Sequence, residues 1–80
     1  MLEATALKLD ELKRIWMTQN GAKELIEIYK EDRGRYIEYL YHVIFPVKTK
    51  EYGRHAGLRI RVDPRTLDVL EHDVFDRLGY

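Results

Sequence analysis

Eighty residues with no cysteine and no serine exclude a disulfide scaffold, a thiolate metal site and any Ser- or Cys-based catalytic triad. Fourteen basic against fourteen acidic side chains leave no net charge, which argues against general binding to a nucleic-acid backbone. A chain this short makes one domain, residues 1–80, burying roughly 60–65% of its unfolded surface, so its core is thin.

The N-terminal stretch MLEATALKLDELKR lacks the basic start and continuous apolar run of a signal peptide. The longest uncharged run, Tyr39–Val47, falls well short of the roughly 20 residues that span a bilayer. With no cysteine, a cytoplasmic setting is expected. Leu2, Ala6, Leu9, Leu12 and Trp16 fall on one helical stripe, with Ile15 beside it, and Trp16 reads as a core anchor. Asp10 is an alternative N-cap, with the helix proper from Glu11. Asn20–Gly21 stops the helix near Gln19.

Ala22–Asp32 is ambiguous. Ala22, Leu25, Ile26 and Tyr29 make a helical stripe, yet LIEIY followed by KEDRG and RYIEYLY also reads as a hairpin. The strand reading is preferred because the next segment needs a neighbour. In Arg35–Val47 the odd positions Ile37, Tyr39, Tyr41, Val43, Phe45 and Val47 are all apolar or aromatic, and the even positions are mixed. That is the period of a strand with one buried face. Lys48–Gly57 is polar with two glycines and reads as a loop. Leu58–Val62 alternates with Arg59 and Arg61 as a short strand. Asp63–Thr66 is a proline turn, Thr66–His72 a further strand, and Asp73–Tyr80 a short helical turn capped by Asp73.

The stretch VDPRTLDVL is similar to the final hairpin of PepSY-type domains, with Leu67 standing where that pattern has glycine. The likeness covers about ten residues and implies a hairpin, not an activity. The expected fold is α+β: an N-terminal helix on a four-stranded antiparallel sheet. The alternative has two helices and three strands.

Charge is unevenly placed. Residues 48–65 hold six basic side chains against two acidic ones, and residues 66–80 hold four acidic against one basic. Lys48, Lys50, Tyr52, Arg54, His55, Arg59 and Arg61 are therefore the candidate binding residues, for a protein partner with an acidic surface. In the competing reading Arg59 and Arg61 merely pair with Asp68, Glu71 or Asp73 across the sheet.

No metal or other cofactor is expected. His42, His55 and His72 form no His-x-His or His-x-x-x-His pair, and Glu71–His72–Asp73 points to alternating faces. No phosphate loop is present. Glu51, Tyr52, Arg54 and His55 keep open a metal-free RNA-cleaving activity. LRIRV is similar to a segment of small ribosome-dependent toxins, a likeness that implies the same chemistry, although those proteins are strongly basic. The tyrosines near these arginines offer stacking platforms for nucleic acid. The function expected is a non-enzymatic, regulatory or inhibitory binding protein. A homodimer through the mixed face or edge of the long strand is expected, and His42 there would make it sensitive to pH near 6–7. Size-exclusion profiles unchanged between pH 5.5 and 8 would count against that.

Overall fold

Leu9, Leu12 and Trp16 define one face of an amphipathic turn pattern, and they are the buried residues of α1 (Leu9–Asn20). The chain is seen in a computed structural model that describes residues 7–76, so Leu2 and Ala6 of the expected stripe lie outside the described residues. Lys8, rather than Asp10, holds the N-cap position. The reason is tertiary. Lys8 bridges to Asp68, the Leu9 N–H donates to the Leu67 carbonyl at 3.2 Å, and the Val69 N–H donates to the Leu7 carbonyl at 2.8 Å. The Lys8 N–H also donates to the Glu11 carboxylate at 3.1 Å, one half of a capping box. Asp10 and Glu11 then lie in the first turn, where carboxylates meet the positive end of the helix dipole. Gly21 ends the helix at φ 66°, as the Asn-Gly pair predicts.

Four strands follow as an antiparallel meander, β1 (Glu24–Asp32), β2 (Ile37–Thr49), β3 (Gly53–Val62) and β4 (Val69–Phe75), in spatial order β1-β2-β3-β4. The ambiguous segment is thus a strand, and the fold is the expected α+β arrangement of one helix and four strands. Tyr39, Tyr41, Val43 and Phe45 of β2 are buried, opposite Ile60, Leu58 and Ala56 of β3. Leu9, Leu12 and Trp16 join the same core, with the Trp16 and Phe45 rings 6.4 Å apart. The Lys13 ammonium lies 4.7 Å over the Tyr41 ring, and burial pushes the Tyr41 phenol well above its ordinary range.

Three expectations need correction. Lys48–Gly57 is not a loop, since only residues 50–52 are turn and β3 begins at Gly53. Backbone pairing carries a polar ribbon as readily as an apolar one. Val47 is 69% exposed rather than buried. Pro46 has no N–H to give the ladder, and the register slips between Ile44↔His55 and Thr49↔Gly53, which resets the alternation. The last strand is Val69–Phe75, not Thr66–His72, and Asp73 pairs across the sheet instead of capping a helix. Leu67 belongs to the turn at φ 63°. That turn is long because Asp63 accepts from the Arg65, Thr66 and Leu67 N–H groups and donates its own to the Asp68 carbonyl. Residues 77–80 lie outside the described residues.

Candidate functional site

The strand pairings put Glu38, Leu40, His42 and Ile44 of β2 on the face away from α1, and among the described residues no element packs there. The registers build that face in rows. Glu31, Glu38, Arg61 and Glu71 make one row, and Tyr29, Leu40, Arg59 and Asp73 the next. Ile26, His42, Gly57 and Phe75 follow, then Glu24, Ile44 and His55. One end of the open face is therefore ionic and the other mainly apolar, with two imidazoles and Glu24 on its outer strand.

Glu38 organises the ionic end. It is only 5% exposed, yet both carboxylate oxygens are satisfied. The Tyr29 hydroxyl donates to Oε2 at 2.7 Å and Arg61 Nε donates to Oε1 at 2.9 Å. A bulge in β1 between Glu27 and Tyr29 aims the tyrosine at this oxygen. The Tyr29 hydrogen bond, with help from Arg61 and against the effect of burial, holds the Glu38 carboxyl below the usual carboxylate range. The same bond raises the Tyr29 phenol. Arg61 also donates to Glu71 and lies 5.0 Å over the Tyr36 ring. Arg59 Nη2 pairs with Asp73 at 2.5 Å and its guanidinium lies 4.9 Å from the Phe75 ring centroid. Asp73 raises the Arg59 pKa, and Glu38 raises that of Arg61. Arg59 and Arg61 thus spend their donors inside the sheet, on the acidic partners that the strand order offers.

The rest of the cationic segment stands apart. β1 pairing ends at Glu24↔Ile44 and β4 pairing at Gly57↔Phe75. Residues 45–56 therefore extend past both outer strands as a two-stranded arm. Its tip is built locally. Thr49 Oγ1 donates to the Gly53 carbonyl at 2.9 Å and accepts from the Tyr52 N–H at 3.0 Å, and Gly53 takes φ 68°. The arm is braced from below by Tyr52, whose ring stacks on Phe45 at 6.1 Å. Burial, then the Glu51 carboxylate, pushes the Tyr52 phenol upward. Lys48, Lys50 and Arg54 are exposed on this arm, and among the described residues none of the three has a carboxylate within ion-pair distance.

The seven candidate residues accordingly divide three ways. Lys48, Lys50 and Arg54 share the arm, with Tyr52 as its brace. Arg59 and Arg61 belong to the ionic rows. His55 is at the base of the arm on the open face, where its Nδ1 meets His42 Nε2 at 2.9 Å. Glu38 and Tyr29 are the members of this surface that the sequence did not mark, and His42 was marked only as a histidine of the mixed face, without its partner. Only a known register would have revealed them. Among the described residues no helix is long and apolar enough to cross a membrane.

Comparison with known proteins identifies no matching family, no matching curated protein and no matching solved structure.

Proposed function

We propose that this chain is a small non-enzymatic binding protein, regulatory or inhibitory in role, that engages a protein with an acidic surface. The contact is made by the β2–β3 arm. The supporting observation is the split among its cations: Arg59 and Arg61 are neutralised within the sheet, whereas Lys48, Lys50 and Arg54 are held out on the projecting arm. A stacked Phe45–Tyr52 pair stiffens that arm, which lowers the entropy lost when it docks. Rim charges of this kind steer association and make it sensitive to salt. A cytoplasmic setting suits a chain without cysteine.

The test is capture from nuclease-treated lysate by the wild type and by Lys48→Glu/Lys50→Glu/Arg54→Glu. The expected result is a protein partner held by the wild type and lost by the variant, with unchanged melting temperature. A partner held equally by both sinks the proposal. Loss of all capture on nuclease treatment would favour nucleic acid instead. RNA cleavage abolished by His55→Ala would make the chain an enzyme.

A further inference from the structure

His42 and His55 are thirteen positions apart in the chain, yet the β2–β3 register makes them diagonal neighbours on the open face. The nitrogens that face one another, His42 Nε2 and His55 Nδ1, are 2.9 Å apart. A tetrahedral ion with metal–nitrogen bonds of about 2.0–2.1 Å holds two imidazole nitrogens roughly 3.3 Å apart. A few tenths of an ångström and a modest ring rotation separate the two arrangements. His55 is exposed and His42 half-buried, so both rings can make that adjustment.

The residue directly across from His42 is Gly57, a buried glycine, so β3 places no competing side chain opposite the His42 ring. Ile26 and Ile44, the β1 and β2 neighbours of the pair, are apolar, and Phe75 lies across from Gly57. Glu24, across from Ile44, is the one carboxylate in the His55 row. We propose that His42 and His55 form a two-imidazole seat for a divalent transition ion of the imidazole-preferring class, such as zinc, copper or nickel. Among the described residues no third His, Cys, Asp or Glu completes the set. With two protein ligands, the remaining positions of a tetrahedral ion fall to water or to a second molecule. Magnesium and calcium, which prefer oxygen donors, do not fit it. This inference is independent of the arm's cations: the seat is on the open face at the arm's base, and Lys48, Lys50 and Arg54 take no part in it.

The experiment is calorimetric titration of the full chain with zinc chloride at pH 7.5, with magnesium chloride as control. His42→Ala, His55→Ala and His72→Ala are titrated alongside. His72 lies across from Ile60 on the other face of the sheet, so its loss controls for general histidine content. Changes in groups that only support metal ligands already weaken affinity by about 10–100-fold. Removing His42 or His55 is therefore expected to cost at least roughly tenfold. His72→Ala should bind as the wild type does. Zinc should also raise the melting temperature of the wild type and of His72→Ala, but not of the other two. His42→Asn and His55→Asn replace the alanine variants if those fail to fold. No saturable zinc binding by the wild type, or an equal loss in His72→Ala, overturns the proposal. So does unchanged affinity in His42→Ala or His55→Ala.

Discussion

Replacing Glu38 by glutamine removes a charge from the most deeply buried ionised side chain of the sheet while keeping its shape. The carboxylate accepts from the Tyr29 hydroxyl at 2.7 Å and from Arg61 at 2.9 Å. A hydrogen bond to a charged group contributes about 1.5–3 kcal/mol. The amide of Glu38→Gln keeps one acceptor oxygen and turns an NH2 group towards a donor, so one such bond is lost. Arg61 keeps Glu71, which limits the damage. The expected loss is about 2–3 kcal/mol, or roughly 10–20 °C in melting temperature for a domain of this size. Glu71→Gln, whose side chain is 55% exposed, should cost under about 1 kcal/mol. The pH dependence has a definite sign. The folded Glu38 pKa is depressed, so its contribution is complete above the unfolded glutamate value of about 4.3 and fades as pH falls through the lower folded value. Urea titrations of wild type and Glu38→Gln should therefore differ by a constant amount between about pH 5.5 and 7 and converge in acid. Equal stability at pH 7, or a gap that persists undiminished to pH 2, would refute the reasoning.

Trp16→Ala removes the helix residue that meets Phe45 and should cost about 3–5 kcal/mol. A domain of this length has about 4–12 kcal/mol in total, so circular dichroism should show the urea midpoint cut by roughly a quarter or more. A midpoint within experimental error of the wild type would separate α1 from the core. Leu67→Gly should stabilise the chain. A left-handed conformation costs an L-residue roughly 1–2 kcal/mol, against about 0.4–1 kcal/mol for the freer unfolded glycine chain. The expected gain is up to about 1.5 kcal/mol. Leu67→Ala should show no gain, and equal behaviour of the two variants would remove strain at this turn as the cause.

Much of the architecture was legible because a half-buried strand writes its burial into the sequence. The alternation from Ile37 to Phe45 marks the inward face of β2, and Leu58, Ile60 and Val62 mark that of β3. The proline turn was legible only in part: it reads as Asp63–Thr66 with Leu67 already in the next strand, although Leu67 stands where the similar hairpin pattern has glycine and carries φ 63°. The arm was not legible. Phe45 and Ala56 root it in the core, but Lys48–Arg54 is mostly polar because no outer strand lies beside it, and polarity with glycine reads as loop. With the turn placed too broadly over 48–57, His55 had no partner, and the pairing with His42 could not be seen. Glu38 was hidden for a related reason. A carboxylate on a mixed strand face reads as solvent-exposed until register brings Tyr29 and Arg61 over it. The choice between paired and available arginines likewise turned on which acidic residue of β4 stood opposite each, and composition does not carry that.

The chain has no cysteine of its own, so single introduced thiols report one position each. Labelling rates of thiols placed in turn at Leu40, Tyr41, His42, Val43 and Ile44 test the two-faced sheet most directly. Fast reaction at Leu40, His42 and Ile44 with slow reaction at Tyr41 and Val43 is the expected result. Uniform rates along the strand, or the opposite alternation, would contradict a sheet that is covered by α1 on one side and open on the other.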